Sequence, residues 1–365
     1  MHRLSRRRLL LAVMAGCCGA GNLSATAATQ NRGARADPKR VLQFPRDHGS
    51  HPGFRIEWWY ITGWLQAQAA RELGFQITFF RARPQLLPGN PSAFNPEQII
   101  IAHAAVADPA QGKLTHSQKA VRAVFGLAGA AENDTKIWLD DWQLSRHGSA
   151  YESRIEAQEL TLNLRMSATK PLLLQGANGY SRKGPGADAA SHYYSVPHLQ
   201  VSGELRTSGA SRTVSGNAWL DHEWSSAYLP ETAAGWDWIG INLDDGGALM
   251  AFQMRQGNTQ QPLWAAAKLR EASGKNRVYA ADAILFTALR LWQSPRTGTR
   301  YPVSFRVTIG PLEIELEPLM DDQENDTRQT TGAVYWEGAV RAFSKGKRIG
   351  SGYLELTGYD RPLKL

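Results

Sequence analysis

Along most of the chain apolar and polar residues alternate in short runs. A period of two puts successive side chains on opposite faces of a strand. The densest run is Ile56-Glu57-Trp58-Trp59-Tyr60-Ile61-Thr62-Gly63-Trp64, which is aromatic on both faces. There Glu57 shares a face with Trp59 and Ile61, so its carboxylate needs a partner or a proton unless it marks an exposed strand end. Further strands are predicted over Phe75–Ala82, Ile99–Val106, Ile137–Leu144, Tyr151–Gln158, Leu160–Ser167, Leu199–Arg206 and Thr213–Trp224. Others follow over Trp236–Leu243, Ala248–Arg255, Trp264–Arg270, Tyr301–Ile309, Leu312–Leu316, Ala333–Phe343 and Gly352–Gly358. Asp244-Asp245-Gly246-Gly247 is a hairpin signal, and Ser344-Lys345-Gly346-Lys347 turns the last hairpin. Ala280–Leu291 is the best candidate helix, and Pro84–Pro96 and Gly176–Pro197 read as loops. Many short strands between turns argue for an all-β sandwich or barrel architecture. The halves 40–225 and 226–365 each hold enough strands to close a barrel.

The first 27 residues stand apart from this pattern. Arg3, Arg6, Arg7 and Arg8 precede a short apolar run from Leu9 to Gly21, and Ala25-Thr26-Ala27 offers a cleavage site. That order is a secretory signal, with a run too short for a permanent membrane anchor. Ser5-Arg6-Arg7-Arg8-Leu9-Leu10 fits the twin-arginine type. A second reading makes Met14-Ala15-Gly16-Cys17 a lipoprotein site with Cys17 lipidated. Either way the chain is expected to leave a bacterial cytoplasm for the periplasm or beyond.

Export changes the charge argument. The 41 Lys and Arg, less the leader's four arginines, leave 37 against 33 acidic residues. No basic run survives to track a phosphate backbone, so the composition gives no case for nucleic acid. Both cysteines, Cys17 and Cys18, lie in the leader, so the mature chain is held by its core without a disulfide.

The candidate chemistry concentrates in Gly216-Asn217-Ala218-Trp219-Leu220-Asp221-His222-Glu223-Trp224 and Gly235-Trp236-Asp237-Trp238. As a strand, the first stretch puts Trp219, Asp221 and Glu223 on one face and Leu220, His222 and Trp224 on the other. Two carboxylates in line with an indole suggest perturbed proton affinities; a solvated face or a turn cap is the alternative. Arg182, Tyr193 and Tyr194, read on the loop, are candidate ligand contacts, and a barrel-plugging loop is the alternative. His48 and His51 show no third ligand nearby, and no metal or cofactor site is read. His103 reads as a satisfied core residue. Walker, nucleophile-elbow, zinc-protease and dinucleotide fingerprints are absent from the sequence.

Several ordered motifs carry a resemblance. Phe44-Pro45-Arg46-Asp47-His48-Gly49, Glu57-Trp58-Trp59-Tyr60-Ile61-Thr62-Gly63 and Ser191-His192-Tyr193-Tyr194-Ser195 come first. The Trp219–Trp224 block, Tyr335-Trp336-Glu337-Gly338 and Gly352-Tyr353-Leu354-Glu355-Leu356-Thr357-Gly358-Tyr359 follow. Together they resemble the AttH/CrtC-like family of carotenoid 1,2-hydratases and exported AttH-like proteins, some described as secreted hydrolases. The resemblance implies two joined lipocalin-like (calycin-type) β-barrels with an apolar ligand site. It also implies an acid at Asp221, the position matching the hydratases' Asp, with Glu223 tuning it. Ligand contacts would come from Trp59, Tyr60, Glu57, Trp219, His222, Trp224, Trp236 and Trp238. His222-Glu223-Trp224 belongs to the exported branch and departs from the hydratases. The expected ligand is a hydrophobic small molecule or lipid. A different class of function is a carrier or accessory for an ABC-type export system.

Arg6→Lys with Arg7→Lys is expected to hold the precursor in the cytoplasm, read by cell fractionation. Normal export of the variant would remove the twin-arginine assignment. Release from membranes on Cys17→Ala would show lipidation instead.

Overall fold

The computed structural model describes residues 33–67, 71–84, 92, 95–186, 188–257 and 259–363. The leader and most of the proline-rich loop lie outside them. Two antiparallel sheets, of 13 and 10 strands, make up the chain, and no α-helix forms among the described residues. The expected all-β, lipocalin-like class therefore holds. The first sheet contains every named strand up to Ala210–Ala227, and the second begins at Ala233–Leu243.

In the first sheet the path runs from edge strand Lys113–Arg122 through Ile99–Asp108, Glu72–Ala82 and Ile56–Gln66 to the long strands Ala210–Ala227 and Ala190–Thr207. It continues through Leu160–Ala168, Ala150–Glu156, Trp142–His147 and Lys136–Leu139 to Ala128–Ala130. The two edges approach one another, so the sheet curls into a nearly closed barrel. Lys119 on one edge ion-pairs with Asp141 and lies 5.4 Å from the ring centre of Trp142 on the other side. The second sheet curls between Asn276–Tyr279 and Ile284–Gln293.

Each sheet fills its own interior. Trp59, Ile61, Phe75, Trp142, Tyr151 and Trp224 pack inside the first, and Ile239, Tyr301, Phe305 and Trp336 inside the second. A third apolar cluster lies between the sheets, on their outer faces, and includes Tyr60, Tyr193, Trp219, Trp238, Phe252 and Tyr353. Burying a large apolar side chain is worth about 1.5–3 kcal/mol, so this face-to-face cluster binds the barrels firmly. Polar contacts fix their alignment. Trp64 donates its indole N–H to the Gly352 carbonyl at 3.0 Å, and His103 bonds Tyr335 at 2.8 Å and Thr330 at 2.9 Å. Burial pushes His103 down to about 3, so it stays neutral.

Two expectations change. Ala280–Leu291 is not a helix: a short 3-10 turn at Ala281–Ala283 leads into strand Ile284–Gln293, paired with Arg300–Ile309. Its alanines favour a helix locally, but Ile284 and Phe286 alternate inward and a neighbouring strand offers ladder bonds, so tertiary pairing wins. Likewise Tyr193 and Tyr194 sit on strand Ala190–Thr207 rather than on a loop. Pro197 misled because a bulge there, with His198 at φ 54°, absorbs it without ending the strand.

Gly74 lies where the barrels pack closely. A Cβ there would lie 2.7 Å from the Ala339 Cβ and 2.8 Å from the Tyr353 hydroxyl. Gly74→Val is expected to overpack this contact and cost about 1–3 kcal/mol, measured as a lower urea midpoint. An unchanged midpoint would show that the barrels can slide apart freely.

Candidate functional site

Ala210–Ala227 is the strand on which the site is built. It pairs with Ile56–Gln66 on one side and Ala190–Thr207 on the other, and directly opposed residues share a face. Register sets Tyr60 and Ser195 beside Asp221, and Trp58 and Tyr193 beside Glu223, on the outer face that meets the second barrel. One pleat away, Trp59 and Tyr194 flank His222, and Glu57 flanks Trp224, on the barrel's inner face.

A cavity of about 320 Å³ opens on the outer face between the barrels. Its apolar wall comes from Trp58, Tyr60, Phe80, Tyr228, Trp236 and Trp238, and its carboxyls are Glu57, Asp221, Glu223, Glu337 and Glu355. A larger cleft of about 510 Å³ near Trp64 is a polar groove containing the Arg341–Glu72 ion pair, and it carries no comparable buried acid.

Asp221 is 3% exposed and meets only neutral donors. Its Oδ1 accepts from Ser195 at 2.5 Å and from the Trp219 indole at 2.7 Å, and its Oδ2 accepts from Tyr193 at 2.6 Å. Each hydroxyl is turned toward the acid by a further donor. Gln175 donates to Ser195 at 2.8 Å, and the Trp238 indole donates to Tyr193 at 3.1 Å. Burial pushes Asp221 up to about 7, against these three hydrogen bonds, which favour the charged form. The charge of Glu223 adds only the smallest contribution, so burial rather than Glu223 is the main cause. Oδ2, with one donor, is the oxygen with room for the proton.

Glu223 is held differently. Lys183, 1% exposed, reaches its Oε1 at 2.7 Å, and Ser191 bonds the same oxygen. Burial raises Glu223 and lowers Lys183, and the pairing opposes both shifts. The ammonium also lies 4.3 Å from the Phe252 ring centre and 4.8 Å from that of Tyr193. Lys183 is thus the loop's buried cation. Arg182, the expected contact, is exposed and stacks 4.5 Å over Trp264, outside the cavity lining.

The inner face carries a separate network. Glu57 borders the cavity, but its carboxylate is taken by Arg81 at 2.7 Å, His51 at 2.6 Å and His222 at 2.9 Å. Burial opposes ionisation, yet these partners hold Glu57 well below the usual carboxylate range. Tyr194 bonds His48 at 2.7 Å and His222 at 3.1 Å, and burial pushes His222 down to about 4. Trp224 stacks on His51 at 3.7 Å and Trp59 on His222 at 4.4 Å. So Trp59, Tyr194, His222 and Trp224 belong to the first barrel's interior, away from the cavity. Glu57 and His222 also supply the companions to His51 that sequence spacing did not show. Among the described residues these three form a group whose donor atoms lie within 4.8 Å of one another, as a metal would require. His51 and His222 each bond one oxygen of Glu57, and Arg81 donates to the other.

Sequence reasoning missed Lys183, Ser195, Glu337 and Glu355. The last two carry the signal already noted for Glu57, an acid inside an aromatic strand, in Tyr335-Trp336-Glu337 and Tyr353-Leu354-Glu355.

The family model described as AttH-like matches residues 35–359. The chain belongs to the AttH-like family. The crystal structure of the Nitrosomonas europaea AttH candidate NE1406 is 52% identical, with TM-score 0.84 over 89% of this chain and 99% of that one. Kievitone hydratase from Nectria haematococca shares the fold at 13% identity, with TM-score 0.66 over 87% and 93%. CghA, solved with Sch210972, does so at 14% identity, with TM-score 0.54 over 84% and 89%. A search of curated proteins finds no match. Among the described residues of this AttH-like chain, no helix is long and apolar enough to cross a membrane.

A raised folded-state acid makes stability depend on pH. Between about 4 and about 7 the folded Asp221 keeps a proton that the unfolded chain has lost, so its contribution is lost as pH rises through that window. Asp221→Asn is expected to flatten part of the fall in urea stability between pH 5 and 8. An identical slope in both proteins would show that Asp221 is ionised throughout.

Proposed function

We propose that the cavity between the barrels takes a hydrophobic, isoprenoid- or lipid-like ligand and that Asp221 protonates a carbon–carbon double bond in it. The carrying observation is a buried acid with no cationic partner, poised near 7 and lining an aromatic cavity. A general acid works best when its proton affinity lies near the working pH. The proton on Asp221 passes to one alkene carbon, and the cation left on the other lies against indole and phenol faces. Water adds to that carbon and its extra proton returns to the Asp221 carboxylate, so the sum is addition of one water. Kievitone hydratase carries hydratase chemistry on this fold, which supports the reading. The leader motif supports placing this chemistry outside the cytoplasm.

The test uses the protein with its co-purifying lipids and with simple isoprenoid alkenes in D₂O, followed by mass spectrometry. Hydrated, deuterated product is expected from the wild type, and Asp221→Asn is expected to lower turnover about 10²–10⁴-fold. Because the protonated form donates, the rate should fall as pH rises past about 7. Tyr193→Phe removes a bond that favours the carboxylate, so it should move that limb to higher pH. Undiminished turnover in Asp221→Asn would remove Asp221 from the chemistry. Equal ligand retention without turnover in either protein would point to carriage.

A further inference from the structure

Protonation by Asp221 leaves Glu223 without a part, although both lie on one face of strand Ala210–Ala227 and both line the cavity. At about 3.4 Å per residue the two positions are about 7 Å apart along the strand. Their oxygens are occupied differently. Asp221 accepts hydrogen bonds on both of its oxygens. On Glu223 the Lys183 ammonium and the Ser191 hydroxyl both meet Oε1. Oε2 accepts no hydrogen bond among the described residues, yet it is not one of the buried, unpaired oxygens, so it keeps accessible surface. Glu223 is only 3% exposed and lines the cavity, so that small opening faces the cavity. Tyr228, whose ring centre lies 5.0 Å from the Lys183 ammonium, walls the same corner.

Two carboxyls in unlike surroundings can divide the acid and base roles between them. Asp221 has no cation paired with it directly, and burial favours its proton. Burial raises Glu223 too, but there Lys183 and Ser191 oppose the rise and favour the carboxylate. The two roles also need space. Acid and base carboxyls about 6.5–9.5 Å apart leave room for a water in inverting glycoside hydrolysis, and the strand spacing here falls in that range. A water that adds to a cation needs an acceptor for its extra proton. The open oxygen of Glu223 is such an acceptor, while hydroxyls and an indole already occupy both oxygens of Asp221.

We propose that Oε2 of Glu223 holds the attacking water and takes its proton as the water adds, while Lys183 and Ser191 occupy the other oxygen. This rests on the reading above for protonation by Asp221. The atoms balance as before. Asp221 gives its proton to one alkene carbon, and the water oxygen bonds to the other. The extra proton of that water moves to Glu223 and returns to Asp221 by exchange with water, so one water is added and both acids are restored.

The test separates protonation from hydration. The full chain is incubated in D₂O with 2-methyl-2-heptene, whose trisubstituted double bond is that of an isoprene unit. Mass spectrometry then reads both the alcohol and the recovered alkene. Protonation followed by loss of a proton back to Asp221 puts deuterium into the recovered alkene, whereas the alcohol needs the water as well. The wild type is expected to form 2-methyl-2-heptanol. Glu223→Gln keeps the shape but cannot take a proton, so it is expected to lower hydration about 10²-fold or more while deuterium still enters the alkene. Asp221→Asn is expected to lower both. Circular dichroism checks folding, and Glu223→Gln combined with Lys183→Met, which removes both members of the ion pair, serves where the single variant does not fold. Undiminished hydration by Glu223→Gln, or hydration and exchange falling together, overturns the role of Glu223 and leaves Asp221 as the acid. Exchange without hydration in the wild type does the same. A wild type that neither hydrates nor exchanges overturns this role together with the reading it rests on. Unfolding of both the single and the double variant would make the pair structural, which also overturns it.

Discussion

Everything at the site depends on the outer face of one barrel being pressed against the outer face of another. A sheet face that would normally meet water is buried instead, and whatever polar residues the pleat puts there must be satisfied by the partner sheet or by one another. The strand pair Ile56–Gln66 and Ala210–Ala227 shows the consequence on both its faces. Glu57 points inward, where Arg81 and two histidines keep it charged. Asp221 points outward, where its hydrogen bonds come from hydroxyls and an indole and no cation pairs with it directly. Equal depth of burial thus gives opposite outcomes. Removing a carboxylate from water favours the neutral acid, and hydrogen bonds to the charged form or a nearby cation oppose that.

The packing also decides where a ligand could sit. Among the described residues both barrel interiors are packed with large side chains, and the aromatic cavity lies in the seam. The seam's walls are aromatic, and apart from Glu57 its acids fall into two kinds. Glu223 has the buried Lys183 ammonium as its ion-pair partner. Asp221 and the Glu337–Glu355 pair lack such partners, and a proton is the cheapest way to reduce their charge. An apolar wall with available protons suits the proposed addition, because aromatic faces can stabilise the cation until a water adds to it.

The strand content, the turn at Asp244–Gly247 and the division of Trp219, Asp221 and Glu223 from His222 and Trp224 were legible in the amino-acid sequence. Each follows from the period of two, a local property that every residue carries with it. The motif blocks gave the family for a similar reason, since they preserve the order and spacing of residue types. The helix over Ala280–Leu291 failed where local propensity competed with a strand partner supplied by Arg300–Ile309. What only the tertiary structure decided is which face of each strand meets what. Alternation says that two sets of residues lie on opposite sides, but not that Trp59, His222 and Trp224 turn into a packed barrel while Tyr60, Asp221 and Trp238 turn toward a second one. Nor could spacing bring Lys183 to Glu223, or Glu337 beside Glu355 and near Tyr60. Those meetings are made by ladder register and by the docking of two sheets, and the proton affinities follow from them, because burial and partner charge are properties of the assembled neighbourhood.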